Sequence, residues 1–430
     1  MLHLFFYHIF LNTYSAGVRI AALQNKKAKL WLTGRQNWKK KMQAAMLQAN
    51  AGTQPTIWMH CASLGEFEQG RPVIEKLKAQ NPNIFLVISF FSPSGYEIMK
   101  NYTQANLVCY LPLDSPASAK DFLDIVNPTM VLWVKYEYWY YFLKEINSRK
   151  IPLLLVSGIF RPNQAFFKWH GTLYRQMLSF FSHLFVQNED SAILAKRLVP
   201  EVKISITGDT RFDRVIDIAE KFTSLSLIET WIGAANKVLV AGSCWDEDDK
   251  ELTHYVKLHP EIKFIIAPHN INEEEIQDVL QLYPGALRYS MLEAQNIKMT
   301  SPSASTDNHV LIIDNVGMLS RLYHYATVTY VGGGFGGDGV HNVLEAAVYG
   351  KPVVHGSEYE KFAEAIGLIE AEGSFAVVDA LELDKILDRL FTDQLFYSTS
   401  AAAAKKFVYN QQGATNKVLD YIYINRLLTK

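Results

Sequence analysis

Cysteine is scarce in this chain, and no zinc-binding spacing or internal repeat is present. Three cysteines, Cys61, Cys109 and Cys244, occur among 430 residues, and none forms a Cys-x-x-Cys pair. This odd, widely spaced set excludes a disulfide framework and a structural zinc site, and it is typical of a reducing compartment. The composition, with 49% hydrophobic residues, predicts a globular chain of two or three domains.

Acidic residues are absent from positions 1–65, which carry eight Lys and Arg. Positions 1–23 are largely apolar, and the basic residues follow them. A cleaved signal peptide would have the reverse order. We therefore predict an uncleaved N-terminal membrane anchor over residues 1–50, with its basic residues on the cytoplasmic side. The alternative is an amphipathic helix buried against the protein and followed by a basic tail. Nucleic acid is not an expected partner, because the rest of the chain is acidic.

After position 51, apolar runs of strand length alternate with helical stretches, which predicts an α/β fold with doubly wound parallel sheets. Strands are expected at 56–60, 84–89, 107–111, 130–134, 152–156 and 184–187, and then at 237–241, 263–267, 309–313, 327–331 and 352–354. They predict a Rossmann-like domain over 51–207, a hinge over 208–225 and a second Rossmann-like domain over 226–430. The last helix is a candidate to pack back on the first domain. Two such domains facing a cleft would bind ligands at the carboxyl ends of their strands.

A glycine-rich segment, Val331–Gly339, follows one of these strands. The apolar spacing behind it predicts a helix that starts after Gly339, and the free N–H groups of such a start suit a phosphate. His341 and Glu345 lie four residues apart on one helix face, where one can reach a phosphate and the other a ribose diol. The pattern favours a nucleotide-sugar site.

Two alternatives for the glycine segment stay open. Gly332, Gly334 and Gly337 fit Gly-x-Gly-x-x-Gly, the pattern of a dinucleotide fold, and glycines also serve tight turns that have no ligand. No Gly-Lys-Ser/Thr follows, which disfavours a phosphate loop of the Walker type.

A carboxylate, Glu66, lies where the first predicted strand runs into a helix. It could act as a general base on a sugar hydroxyl, or it could only complement the positive end of that helix. The residues alone favour neither reading. Ser63 and Cys61 have no His/Asp arrangement beside them in the sequence, so we interpret both as backbone-shaping residues.

Five motifs in order resemble the Kdo (3-deoxy-D-manno-octulosonic acid) transferases, and the resemblance covers nearly the whole chain. They are Ser63–Glu66, Leu111–Asp114, Gly208–Asp213, Asp314–Leu319, and the glycine segment with His341–Glu345. The resemblance implies a GT-B fold, CMP-Kdo as donor and a lipid A precursor, lipid IVA, as acceptor. It also implies an inverting transfer without metal or other cofactor, at the cytoplasmic face of the bacterial inner membrane.

The resemblance implies Glu66 as the catalytic base. Ser63 and Gly65 in the same loop are candidate acceptor contacts. Arg161 and Lys168 are candidates to bind an acceptor phosphate, and the alternative for them is a solvated loop. The implied donor contacts are Ser243, His269, Gly332, Gly333, Gly334, Gly339, His341, Asn342 and Glu345. Two arginines that the family usually has are missing from Ala267–Asn272, and Arg211 and Lys351 are candidates to supply that charge.

Two further positions depart from the family. Trp245 stands where the family often has His, and Lys135-Tyr136-Glu137 stands for Glu-Thr-Glu. A GT-B glycosyltransferase or epimerase with a UDP-sugar, and a non-catalytic membrane-bound binding protein, are the alternative functions. A binding protein needs no base, so the retention of Glu66 with His341 and Glu345 argues against the latter.

Overall fold

The structure, a computed structural model, describes residues 2–49, 52, 54–135, 137–296, 308–337 and 339–429. The chain divides into two compact units, Met1–Arg214 with Gly413–Lys430, and Val215–Gln412. Each unit is built on one parallel sheet, so the predicted α/β class with two parallel sheets is confirmed. The boundary between the units falls inside the helix Thr210–Glu220.

In the described residues of the first unit, seven parallel strands pair in the order β3-β2-β1-β4-β5-β6-β7. The strands are β1 (Thr56–Cys61), β2 (Phe85–Phe90), β3 (Leu107–Tyr110), β4 (Met130–Val134), β5 (Leu153–Gly158), β6 (His183–Val186) and β7 (Lys203–Ile206). The α-helices are α1 (Leu2–Ala21), α2 (Lys26–Arg35), α3 (Trp38–Gln48), α4 (Leu64–Gln80), α5 (Pro93–Met99), α6 (Pro116–Val126), α7 (Tyr140–Ser148), α8 (Thr172–Ser179), α9 (Glu189–Leu198) and α10 (Thr210–Glu220), with a 3-10 turn at Ala165–Phe167. The last helix of the chain, Ala414–Ile424, packs on α4.

The described residues of the second unit also form seven parallel strands, in the order β10-β11-β9-β8-β12-β13-β14. The strands are β8 (Val238–Cys244), β9 (Lys263–Pro268), β10 (Leu287–Arg288), β11 (Val310–Ile312), β12 (Val328–Val331), β13 (Val353–Gly356) and β14 (Ser374–Val377). The helices are α11 (Ser226–Ile232), α12 (Asp246–Leu258), α13 (Glu273–Leu282), α14 (Tyr289–Asn296), α15 (Leu319–Leu322), α16 (Leu344–Ala347), α17 (Ala363–Glu370), α18 (Ala380–Thr392) and α19 (Gln394–Asn410), with a 3-10 turn at Tyr323–Tyr325 and with α20 (Ala414–Ile424) closing the chain in the first unit.

The central strands of both sheets, such as β1, β2, β4 and β12, are buried along their whole length, as parallel sheets covered on two faces require. In each sheet the strand order reverses beside the strand that comes first in the chain. The reversal lies between β1 and β4 in the first unit and between β8 and β12 in the second. Ligand sites of open α/β sheets lie at such reversals, beyond the carboxyl ends of the strands.

The described residues do not support a membrane-spanning form of the predicted N-terminal anchor. Within the described part of the chain, no helix combines the length and apolar character that crossing a membrane requires. Helix α1 instead lays an apolar stripe on the first unit's core, with residues spaced three or four apart as one helix face requires. That stripe consists of Leu4, Tyr7, Leu11, Tyr14 and Val18. Its outward face is apolar as well, because Phe5, Phe6, Ile9 and Phe10 are 42–59% exposed.

Two polar contacts fasten the N-terminal helices to the sheet. Tyr7 Oη donates to Asp114 Oδ2 at 2.6 Å, and the same carboxylate accepts the first amides of α7. Burial raises the pKa of Asp114 to about 6. At the end of α2, Arg35 donates to the carbonyls of Phe91 and Leu111 at 2.7 and 2.8 Å, which follow β2 and β3. Residues 2–49 are thus part of the first unit's packing.

Candidate active site

Glu66 lies in the first turn of α4, just beyond the carboxyl end of β1 at the strand-order reversal. Its side chain is 8% exposed, and Oε2 accepts the backbone N–H of Ala62. A short loop therefore holds the carboxylate at the sheet edge, where an acceptor hydroxyl could reach it. Ser63 is the N-cap residue but makes no capping bond with its side chain, and a Cβ at Gly65 would meet no atom within 4 Å. The position of Gly65 thus has open space beside the first turn of α4.

Cys61 and His60 precede this loop and are fully buried. Burial, followed by the carboxylates of Glu66 and Glu68, raises the pKa of the Cys61 thiol well above its usual value, which disfavours a thiolate nucleophile. Burial lowers the pKa of His60, whose Nε2 lies 3.8 Å from Glu137 Oε2. Cys61 and His60 are thus buried packing residues at the carboxyl end of β1.

The glycine segment begins directly after β12, at the strand-order reversal of the second unit. A Cβ at Gly332 would lie 2.4 Å from the carbonyl oxygen of Ser243, so only glycine allows the two loops to approach this closely. Ser243 itself has φ of 57°, which is strained for a residue with a side chain. The predicted donor residues after β8 and β12 are therefore brought together.

The predicted helix behind Gly339 is wrong in its start and length. The helix α16 is a single turn, Leu344–Ala347, too short to develop a full macrodipole. The glycine amides are also largely used within the protein: Gly332 donates to Gly242, Gly336 to Gly333, and Gly339 to Gly336. The carbonyl of Gly334 accepts the amide of Glu358 at 2.8 Å. The segment is a folded turn rather than an open helix start.

Asp248, which was not predicted from the sequence, stabilises this turn by hydrogen bonding. Its side chain has no solvent exposure. Oδ2 accepts the amides of Gly333 at 2.8 Å and Trp245 at 2.9 Å, and Oδ1 accepts the hydroxyl of Tyr330 at 2.7 Å. Burial raises the pKa of Asp248 above its usual value. The carboxylate thus joins α12 to the loops that follow β8 and β12.

Three rings form a cluster above the turn. Trp245 stacks on His269 with ring centroids 4.1 Å apart, and His269 stacks on His341 at 4.7 Å. Trp245 Nε1 donates to His341 Nε2 at 3.0 Å. The three residues follow β8, β9 and β12, so they line the carboxyl edge of the sheet. Such a cluster offers flat apolar surface and imidazole nitrogens to one ligand.

Asn342 and Glu345, which follow the glycine segment in the chain, form a hydrogen-bonded pair. Asn342 Nδ2 donates to Glu345 Oε1 at 2.9 Å, and Asn342 Oδ1 accepts the amide of Leu344 at 3.3 Å. Asn342 therefore orients the Glu345 carboxylate. A carboxylate fixed in this way can accept two hydrogen bonds from a diol.

The two candidate cations belong to different units of the fold. Arg211 belongs to the first unit, where its guanidinium binds Asp209 Oδ2 at 2.7 Å. Burial alone would raise the pKa of Asp209, but the Arg211 charge and hydrogen bond hold it below its usual value. Lys351 precedes β13 and so lies at the amino edge of the sheet, away from the glycine turn. Arg161 is exposed after β5.

The comparisons identify relatives of this chain. Residues 36–214, which include Glu66, match the sequence profile of the 3-Deoxy-D-manno-octulosonic-acid transferase (kdotransferase) family. The chain is 23% identical to the 3-deoxy-D-manno-octulosonic acid transferase of Haemophilus influenzae over 88% of its own length and 90% of that protein. It is 25% identical to the transferase of the same name from Aquifex aeolicus, over 78% and 86% of the two lengths.

A structural comparison shows the fold alone. UDP-GlcNAc 2-epimerase from Neisseria meningitidis, solved with UDP-GlcNAc, is similar with a TM-score of 0.61 and 16% identity, covering 86% of this chain and 99% of that one. The sequence relatives, in contrast, agree on one family along almost their whole length. The chain is therefore similar to Kdo transferases, through the profile match in its first unit and through relatives aligned over most of its length.

Proposed function

We propose that this protein transfers Kdo from CMP-Kdo to a lipid A precursor, lipid IVA, with inversion at the anomeric carbon. The observation that carries the proposal is Glu66, which lies within the family match and is held by the Ala62 amide at the carboxyl edge of the first sheet. Glu66 takes the proton of an acceptor hydroxyl while that oxygen attacks the anomeric carbon. The bond from this carbon to the CMP phosphate oxygen breaks, and CMP leaves with the electron pair. Ser63, Gly65 and Arg161 are the proposed acceptor contacts.

The second unit is proposed to bind the donor. His269 and His341 can donate to the phosphate that leaves, while Trp245 stacks on the ring of His269 and donates a hydrogen bond to His341. Glu345, oriented by Asn342, is proposed to accept the ribose hydroxyls of cytidine. Fixed donors can stabilise the leaving charge without a metal ion, and we propose that none is required. The arrangement proposed for the two units is that of GT-B enzymes, in which donor and acceptor domains face a cleft.

We further propose that the N-terminal helix contacts the cytoplasmic face of the inner membrane. Phe5, Phe6, Ile9 and Phe10 form an exposed apolar face on α1, and the basic residues of positions 19–41 follow without any acidic residue. An apolar face beside positive charge is the pattern of a segment that lies on an anionic membrane surface. The lipid acceptor is found at that surface.

Donor selectivity tests the proposed reaction. CMP-Kdo that carries a radiolabel in its Kdo group is prepared as the donor. Transfer of the label to lipid IVA is then measured with CMP or UDP added as competitor. The proposal expects CMP to inhibit and UDP at the same concentration to leave transfer nearly unchanged, with chelator present throughout. The Glu66→Gln variant is the control for base catalysis. Stronger inhibition by UDP than by CMP, or transfer that depends on UDP-GlcNAc instead, contradicts the proposal and favours the UDP-sugar alternative.

A further inference from the structure

One tryptophan of the first unit stands apart from the others. Trp169 is 91% exposed, whereas Trp31, Trp58, Trp133 and Trp139 in the same unit are at most 7% exposed. Trp169 lies in the segment 161–171, between β5 and α8. A large aromatic ring in water is unfavourable, and an amphipathic ring of this kind is enriched where proteins meet the membrane interface.

The segment that carries Trp169 is tightly built. Arg175, on α8, donates through Nη1 to the carbonyls of Phe166 at 2.7 Å and Lys168 at 3.3 Å. A Cβ at Gly171 would lie 2.4 Å from the carbonyl oxygen of Ala165, so the turn requires glycine there.

The ring of Phe166 anchors the base of the segment. Phe166 is 6% exposed and packs edge-on against Phe160 and Tyr138, with centroids 5.7 and 5.4 Å apart. The protein therefore holds Trp169 out in solvent from a fixed base, and its exposure does not come from loose packing.

The stretch of sequence that contains this segment carries charge of one sign. Residues 146–188 contain no Asp or Glu and five Lys or Arg. Lys168 is the direct neighbour of Trp169, and Arg161 opens the segment; both are exposed. An apolar ring flanked by cations and without nearby acids in sequence complements an anionic lipid surface.

The segment is also continuous with the face of α1 described above. Helix α8 begins three residues after Trp169 and packs against α1. The inward stripe of α1 and Leu173 of α8 belong to the same buried cluster. The exposed apolar face of α1 and Trp169 are thus carried by neighbouring elements of one unit.

From these observations we propose that the segment 161–171 is a second membrane contact, in which Trp169 inserts into the interface of an anionic bilayer and Lys168 and Arg161 meet lipid headgroups. The inference rests on the membrane contact proposed for α1 and adds a separate site to it. Two contacts on one rigid unit fix the tilt of that unit on the membrane, which a single helix would not do.

Vesicle binding tests this inference without any substrate. The full-length protein is sedimented with vesicles of phosphatidylcholine alone or mixed with phosphatidylglycerol. Trp169→Ala is expected to bind the mixed vesicles about tenfold more weakly, the scale of one large side chain leaving an apolar phase. Leu395→Ala, which removes an exposed apolar residue of the second unit, is the matched control and should bind as the wild type does.

Two more variants separate the possible outcomes. Trp169→Phe should largely keep binding but lose a share of the fluorescence quenching by brominated lipid. The double variant Phe6→Ala/Phe10→Ala tests the α1 contact alone. If that variant binds weakly and Trp169→Ala binds as the control does, the second contact is refuted and the α1 contact stands; if both bind as wild type, both are refuted. A change of mass in solution with Trp169→Ala, without a change in vesicle binding, would assign the surface to a second copy of the chain and overturn the inference.

Discussion

Replacing Asp248 tests whether a buried carboxylate shapes the donor turn. Asp248→Ala leaves three buried donors, the amides of Gly333 and Trp245 and the hydroxyl of Tyr330, without their acceptor. Removing one partner of a buried charged network costs about 3–5 kcal/mol, somewhat less where water can enter. For a unit of this size, that loss corresponds to a fall of about 10 °C in melting temperature.

Asp248→Asn should behave differently. Its amide oxygen can still accept the two amides, and its NH₂ group can donate to the hydroxyl oxygen of Tyr330. We therefore expect a loss near 1 kcal/mol, because charge-assisted bonds become neutral ones. Asp246→Asn, an exposed acid in the same helix turn, is the control and should change little.

Urea unfolding and CMP titration by calorimetry are the assays. Asp248→Ala should weaken CMP binding strongly, because the glycine turn and the loop at Trp245 lose the carboxylate that joins them. Asp248→Asn should keep most of the affinity. Equal stability of the Ala variant and the wild type, or an Asn variant as unstable as the Ala variant, would refute the role of Asp248 as the support of the turn.

Three further predictions concern single residues. Glu66→Gln should lower the transfer rate by about 100- to 10,000-fold with an unchanged melting temperature, because glutamine still accepts the Ala62 amide but cannot take a proton; a smaller loss would remove Glu66 from the role of base. Trp245→Ala should raise the KM for CMP-Kdo roughly tenfold while kcat falls less, since it removes the ring surface beside His269; an unchanged KM would contradict this. Burial raises the pKa of Asp249 to about 7. The folded state therefore keeps a proton that the unfolded chain releases near pH 4. As a result, the stability of the wild type falls as the pH rises from about 4 to 7. In urea unfolding, the free energy of unfolding of Asp249→Asn minus that of the wild type should therefore increase from pH 5 to pH 8. A difference that does not change with pH would contradict this.

The interior of the fold was predictable from the sequence because parallel strands covered on both faces must be continuously apolar. Strands such as β1 and β4 consist of such runs, and their predicted positions agree within one or two residues. Strands β7, β10 and β14 were missed because edge strands need no continuous run: β7 carries Lys203 and Ser205, and β10 has two residues.

The packing of the N-terminal helix could not be predicted for a different reason. Hydrophobicity along α1 shows that the helix is apolar on two faces, but it cannot tell which face meets protein. Tyr7 is the residue that decides, because its hydroxyl reaches the buried carboxylate of Asp114, more than a hundred positions away. A contact of that separation leaves no local signal.

The site was predictable where backbone geometry restricts the residue type. Gly332 is fixed by its approach to Ser243, and the sequence motif reflects that constraint. Asp248 was missed because it lies in a run of four acids at the start of α12, where acidic residues usually just complement the helix. Burial separates Asp248 and Asp249 from their exposed neighbours, and burial is a property of the folded chain.

The mass of the lipid product tests the central claim most directly. Detergent-solubilised protein is incubated with freshly made CMP-Kdo and lipid IVA, and the lipid is examined by mass spectrometry beside a known Kdo transferase as control. We predict a gain of one or more Kdo units with the wild type and almost none with Glu66→Gln. An unchanged lipid mass while the control enzyme is active would contradict the assignment of this chain as a Kdo transferase acting on lipid IVA.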